Sequence, residues 1–412
     1  MERRRIAVIG SGVAGLTAAY VLGRRDDVTL FEADDRIGGH AHTHDVASAD
    51  GRTLAVDSGF IVHNERTYPR LVRLFAELGV RTQPSDMSMS VSCGGCGLEY
   101  AGGKGAPGLF ARVSSLARAP YLRMLAEVPR FHRMAREALE HGDDRTLGEF
   151  TTGFSPYFIA HFTTPLVSAV WSCPPSDAGR YPARYLFAFL ANHGMLTVSG
   201  SPRWRTVTGG SRDYVEKIAK TLTAVHTSTP VRALRRTGEG VELQADGVHR
   251  FDAAVVATHP DQALRLLAEP TPGEREVLGA FRYSRNPVTL HTDPSALPRA
   301  RRARASWNYR MESCTADAAG ARVTYDMNRL QRLEASRPHL VTLGAEIPDG
   351  HAIARMTYEH PVYTPESVAA QERLPALDDD VIAYAGAYHG WGFHEDGCGS
   401  GVRAAEALGG RW

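Results

Sequence analysis

The sequence predicts a two-domain α/β fold, in which a parallel-sheet domain built from separated stretches of chain is interrupted by an inserted α+β domain. Three observations carry this. The apolar run at residues 6–9 follows three arginines and ends at Gly10; with the helix-forming stretch 14–24 and the apolar run 28–31 it makes one βαβ unit. Residues 227–258 alternate in strand fashion about a turn at 238–240. Residues 381–385 read as a further strand that meets a glycine-rich loop and then a helix at 401–409.

The material between these pieces has another character. Residues 105–150 interleave arginines with leucine, phenylalanine and valine, as an amphipathic helix does, with interruptions expected near Pro120 and Pro129. Residues 154–196 are aromatic and helical in composition, and strand-like runs follow at 287–291, 323–327 and 340–343. The expected division is therefore 1–75, 200–270 and 376–412 for the first domain, and 76–199 and 271–375 for the second, a helical cap plus a mixed sheet.

A chain of 412 residues with a formal net charge of +1 offers no global attraction to a polyanion, so nucleic acid is not an expected partner. Its five cysteines are an odd number with no secretory leader before them, which argues against a disulfide framework and for a cytoplasmic location. No apolar stretch approaches the ~20 residues that span a bilayer. The only lysines are Lys104, Lys217 and Lys220, so the second half of the chain has none beyond position 220.

Gly10, Gly12 and Gly15 form G-x-G-x-x-G between a strand and a helix. The first permits the tight turn, the second lets a pyrophosphate approach the backbone, and the third allows close helix–strand packing. Glu32 closes the second strand, where it can accept hydrogen bonds from ribose hydroxyls. This is a dinucleotide site of Rossmann type.

Residues 32–40, E-A-D-D-R-I-G-G-H, resemble the E-x-x-x-R-x-G-G-R signature of the flavin-containing amine oxidase and phytoene desaturase superfamily. The resemblance implies an amine-oxidase-like fold and FAD, with Arg36, Gly38 and Gly39 along the pyrophosphate and ribityl and His40 in place of the usual arginine. It further implies cofactor roles for Asp57 and Gly59 (a D-x-G motif), for Gly209 (with Gly210) and for Val231 near the adenine. Gly386, Glu395, Gly397 and Gly401 belong to the closing motif at 385–401. Cys398 lies downstream of where the superfamily attaches flavin covalently, so FAD is expected to be noncovalent.

A narrower resemblance covers nearly the whole chain. The segments at 60–69, 83–92, 171–175, 192–196, 202–211 and 392–397 are similar to a group of bacterial FAD-dependent oxidoreductases related to the flavin domain of plant cyclopropane fatty acid synthases. That similarity implies desaturation or redox-neutral isomerisation on an acyl or other apolar chain, and a lipid methyltransferase as partner. Phe154, Tyr157, Phe158, Phe162, Trp171, Tyr185, Phe187 and Phe189 are candidates to line an apolar pocket. Two alternatives stay open: an amine oxidase, and a flavoprotein that serves the methyltransferase without turnover. Amine oxidases of the superfamily draw a lysine from the second half of the chain, which is absent here, although Tyr388 and Trp391 resemble part of their aromatic pair.

For proton handling the candidates are His63, His193, His389, His394 and Glu395. His389 or His394, acting with Tyr388 or Tyr309, is the preferred set. Cys93-Gly-Gly-Cys96 has the spacing of a redox pair or of half a zinc site; with no second C-x-x-C, a hairpin turn with incidental thiols is the reading, and no metal is expected. The basic stretch 105–140 has the composition either of a membrane-surface helix or of the solvated face of a cap domain.

Overall fold

The computed structural model describes residues 3–48, 50–196, 201–315 and 322–412; Met1 and Glu2, at the start of the basic N-terminal run, lie outside it. Arg5–Ile9 is a strand whose four apolar residues are buried, and it forms the middle of a five-stranded parallel sheet. The order across that sheet is Ala224–His226, Asp27–Phe31, Arg5–Ile9, Ala253–Val256, Ile382–Tyr384. Strands buried on both faces read as continuous apolar runs, as these do.

Between the first two strands runs the helix Val13–Leu22, apolar on every side and buried at all but one position, as expected of a helix sandwiched in a core. The last helix, His394–Ala407, lies against it along a seam of small residues. A Cβ at Gly401 would fall 2.3 Å from the Ala14 carbonyl oxygen, and one at Gly397 would fall 2.6 Å from Val13 Cγ1. The two ends of the chain are thereby pressed together backbone to backbone.

A second sheet has seven strands, in the order Ala352–Val362, Arg282–His291, Leu340–Leu343, Val323–Asp326, Trp307–Met311, Met89–Cys93, Glu99–Gly102. The long pair Arg282–His291 and Ala352–Val362 is antiparallel, with Tyr283 opposite Pro361 and Arg285 opposite Glu359. Helices from 105–192 cap this sheet.

The expected interruption at Pro129 does not occur. Ala119–His141 is one continuous helix with Pro120 in its first turn and Pro129 inside it. An interior proline costs ~3 kcal/mol or more through the lost hydrogen bond and the clash with the preceding turn. Here the helix is held by its buried face: Tyr121, Met124, Phe131 and Ala135 are fully buried, and Phe131 packs on Phe150, Phe154, Phe158, Phe162 and Phe187. Part of the basic character of this region is spent on contacts inside the protein, Arg112 on Glu99 and Arg118 on the Cys96 carbonyl, both at the second sheet, and Arg123 on Glu127 one turn along the same helix. Val113 and Leu116 stay exposed. Among the described residues no helix is long and apolar enough to cross a membrane.

The seam between first and last helix makes a direct demand. Gly401→Val should lower the melting temperature of the protein by several degrees in a thermal unfolding experiment, because the added carbons meet backbone that cannot move aside; overpacking of this kind costs roughly 1–3 kcal/mol or more.

Candidate active site

A continuous cavity of 1920 Å³ runs from the glycine loop to the helical cap. Sites for one small molecule span about 300–1,000 Å³, so this space has room for a dinucleotide and a second molecule together.

At one end the backbone turns at Gly10, whose φ of +99° is open to glycine and whose Cβ would lie 2.7 Å from the Ala257 oxygen. Gly15 sits on that turn, 2.0 Å by the same measure from the Gly10 carbonyl. Gly12 caps the first helix with no side chain on its end, and a Cβ there would meet nothing within 4 Å, so the helix N-terminus is open to an anion. Glu32 accepts from the Ser11 amide and hydroxyl at 2.9 and 2.5 Å and from the Asp34 amide at 3.0 Å. Arg36 donates to the Gly39 carbonyl at 2.8 Å through one nitrogen, while its Nη1 is buried without a partner. A buried guanidinium N–H aimed at nothing is costly unless an acceptor arrives. These residues fit FAD: Gly12 and Arg36 for its phosphates, Glu32 for its ribose, Val231 on the adjoining wall.

Of the residues singled out for the cofactor, Gly10, Gly12, Glu32, Arg36, Gly39, His40, Gly59, Val231 and Gly386 line the cavity. Gly15, Gly38, Asp57, Gly209, Glu395, Gly397 and Gly401 stand behind its wall. Glu395 accepts from the backbone N–H groups of Arg70 and Leu71, 3.1 and 3.0 Å away, at the start of the helix Pro69–Glu77. Asp57 is buried and accepts from Thr43 Oγ1 (2.6 Å), the Ser211 amide (2.9 Å) and hydroxyl (2.8 Å), and Gln331 Nε2 (3.0 Å). Burial pushes its carboxyl up to about 6 against the pull of those donors. Cys398 is fully buried away from the cavity.

Of the preferred acid–base set, Tyr388 and His394 line the cavity; His389 and Tyr309 do not. His394 stacks on Phe60 at 3.6 Å and places Nε2 3.1 Å from the Tyr214 hydroxyl. Burial holds its imidazole down to about 3, so it is neutral across the physiological range. The Tyr388 hydroxyl is buried without a partner. His389, at the end of the turn Ala387–His389 and outside the lining, is likewise held to about 3 by burial and by Arg403. Tyr309 is buried in the core on the strand Trp307–Met311. Of the candidate aromatics, Phe162, Trp171 and Phe189 line the cavity, whereas Phe154, Phe158 and Phe187 pack around Phe131.

Sequence reasoning missed a polar wall. His40 and His42 meet Tyr358 and His360 from the second sheet, with His40 and Tyr358 rings 4.9 Å apart and His42 Nδ1 3.0 Å from the Tyr358 hydroxyl. That hydroxyl also lies 2.6 Å from Ser58 Oγ, which is 2.9 Å from His44 Nε2. His259 joins from the far side, stacked on Tyr283 and 3.2 Å from Glu359. One signal was present: His40, His42 and His44 recur at the strand period of two. Burial holds His42 to about 3 and His360 to about 4, so the wall presents neutral imidazoles.

Two measurements test this geometry. Arg36→Met should weaken FAD retention by roughly 10- to 100-fold, read by cofactor titration of the apoprotein, since a hydrogen bond to a charged group contributes about 1.5–3 kcal/mol. The lowered histidines bind protons in the unfolded chain first, at the ordinary value of 6.5, and in the folded chain only near 3 to 4. Stability is therefore lost as pH falls below that ordinary value. Melting temperature should drop between pH 7 and pH 5, and His360→Gln, which keeps an acceptor for the Asn286 amide that lies 3.0 Å from His360 Nδ1, should make that drop shallower.

Comparison with known proteins places this architecture. The profile of the flavin containing amine oxidoreductases matches residues 13–292. Short stretches are similar to tryptophan 2-monooxygenase of Allorhizobium ampelinum, 51% identical over 45 residues (10% of this chain, 6% of that protein), and to an L-amino-acid oxidase of Pseudechis australis, 52% over 42 residues (10% and 8%). Protoporphyrinogen oxidase 2 of Arabidopsis thaliana is 60% identical over 79 residues (19% and 14%). The chain thus spans less than a tenth of the first two relatives. Over the whole fold it is similar to putrescine oxidase solved with putrescine (TM-score 0.67, 16% identity, 98% of each chain). It is similar as well to a fatty acid isomerase from P. acnes that produces CLA (TM-score 0.65, 15% identity, 97% of each chain). A family match over most of its length, from the first helix to the long strand Arg282–His291, makes the chain a member of the flavin-containing amine oxidoreductases, an FAD-dependent oxidoreductase.

Proposed function

We propose that this oxidoreductase acts on an elongated apolar substrate, an acyl chain or a lipid-like molecule, by desaturation or by redox-neutral double-bond isomerisation. The observation that carries the proposal is the lining of the cavity beyond the histidine wall: Val91, Met124, Leu125, Val128, Leu166 and Val170, with Pro129 among them. An apolar arm of this kind gains about 25 cal/mol for each Å² of chain surface it takes from water. FAD, when bound, supplies a two-electron acceptor for a hydride leaving substrate carbon. The protein's part is to hold the chain in the arm and keep water from the reacting end. The neutral His394, Tyr388 and Tyr358 are its hydrogen-bonding groups there.

Amine oxidation fits this lining less well. Among the described residues no lysine lines the cavity. The carboxylates that do are Glu32, Asp34 and Asp35 at the glycine-loop end, and Glu359, which is taken by His259 and Arg285. No described carboxylate is left free in the arm to receive an ammonium group. Service to a lipid methyltransferase without turnover is the remaining reading, and an assay with and without such an enzyme separates it.

Anaerobic mixing of the FAD-loaded protein with unsaturated long-chain lipids and, separately, with amines tests the proposal. A lipid should either bleach the flavin absorbance or return a product of unchanged mass with a shifted double bond. Leu166→Trp, which fills the arm, should lower kcat/KM for a long chain about tenfold without loss of FAD, in line with the 1–3 kcal/mol typical of overpacking. Bleaching by an amine and by no lipid would overturn it.

A further inference from the structure

The C-G-G-C turn is a hairpin, as its sequence reads, and two further side chains of metal-ligand type meet its thiols. Cys93, Cys96, His161 and Cys314 place their ligand atoms within 4.8 Å of one another, outside the cavity described above. Cys93 ends the strand Met89–Cys93, Cys96 stands before the strand Glu99–Gly102, and Cys314 follows the strand Trp307–Met311. His161 comes from the cap, at the middle of the π turn Ile159–Thr163; such turns recur at functional sites.

We propose that these four side chains bind one zinc ion, a structural Cys₃His site that clamps the cap to the second sheet. The distances carry the metal. Zn–S bonds near 2.3 Å and Zn–N bonds near 2.0–2.1 Å imply tetrahedron edges of about 3.8 Å between sulfurs and about 3.6 Å from sulfur to nitrogen. Cys93 Sγ and Cys314 Sγ are 3.8 Å apart, and Cys96 Sγ is 3.6 Å from His161 Nε2. His161 Nδ1 lies 3.1 Å from the Tyr157 carbonyl, which can only accept, so the proton is on Nδ1 and the Nε2 lone pair faces the sulfur. A metal-bound histidine characteristically donates its other N–H in this way.

The glycines follow from the same arrangement. A Cβ at Gly94 would lie 2.8 Å from the Glu312 oxygen and one at Gly95 3.0 Å from Ser313 Cα, and Gly94 N donates to the Met311 carbonyl at 2.8 Å. The turn has given up its side chains so that the segment carrying Cys314 can lie on it. Gly97, at φ +68°, completes the turn with its amide on the Cys93 carbonyl. Arg118 donates to the Cys96 carbonyl at 2.6 Å and brings a positive charge to a set of three thiolates.

With four protein ligands no coordination position is left for substrate, which makes the site structural rather than catalytic. It has a structural task to do. Val91, Tyr100, Phe162 and Leu166, on the segments that the ion joins, line the cavity, and the Tyr100 hydroxyl donates to the His161 carbonyl at 2.7 Å. Cys314 is exposed, which gives the ion its way in.

The test is metal analysis of FAD-loaded protein, purified under reducing conditions without a histidine tag and desalted after exposure to zinc chloride. About one zinc per chain is expected, with loss of that zinc in Cys96→Ser and in the milder His161→Gln. Cobalt in its place should give thiolate-to-metal charge-transfer absorption, and a strong chelator should lower the melting temperature, since the ion stabilises only the folded state. Wild-type protein that retains no zinc overturns the proposal even if every variant fails to fold. So does a Cys93–Cys314 disulfide that resists the reductant and is still present after exposure to zinc.

Discussion

The site depends first on contact between the two ends of the chain. The opening helix Val13–Leu22 and the closing helix His394–Ala407 touch through glycine, with Gly401 over the Ala14 carbonyl and Gly397 against Val13, while Gly15 rests on the turn at Gly10. Side chains of ordinary size would hold the helices at the usual 8–10 Å. The closer approach sets where the closing helix begins, and its first residues, Phe393 and His394, line the cavity that the opening turn also borders. Glu395 then caps the helix Pro69–Glu77, so a third element takes its position from the same seam.

Asp57 makes the second joint. A carboxyl so deeply buried costs stability unless donors surround it, and here four donors do. They come from Thr43 on the hairpin of Thr43–Ala47 and Thr53–Asp57, which carries His44, from Ser211 ahead of the helix Arg212–Ala219, and from Gln331 on the far side. The Gly210 backbone can approach Thr43 only for want of a side chain, since a Cβ there would lie 2.5 Å from Thr43 Cγ2. Asp57 thereby acts on the site through others: it fixes the start of the strand Thr43–Ala47, next to His42, which meets Tyr358, without lining the cavity itself.

What the sequence disclosed follows how local each signal is. The βαβ unit, the glycine loop and Glu32 lie within about thirty residues, and there each residue type has one steric or electrostatic reason to be present. The hairpin at Ala233–Thr237 and Gly240–Gln244 was legible for the same reason. Pro129 was misleading because propensity is local whereas the buried face that overrides it is not. The histidine wall was legible only in part. The period of His40, His42 and His44 is in the sequence, but their partners Tyr358 and His360 come from a strand more than 300 residues away, whose register no local pattern specifies. Cys314 lies 221 residues from Cys93, and nothing near it in sequence marks it as a companion.

The lowered basicity of the histidines and the apolar arm share one cause. A surface that sheds water strips the hydration that a charged imidazole needs, so His42, His360 and His394 stay neutral for the reason that makes the arm hospitable to a hydrocarbon. A cation entering the arm would face the same penalty. Taking an ammonium out of water costs several kcal/mol unless an opposite charge replaces the solvent, and the described carboxylates of this cavity are either at the dinucleotide end or already paired. A neutral chain meets no such cost, and what it leaves exposed at its reacting end is met by hydroxyls and imidazoles able to donate or accept without a change of charge.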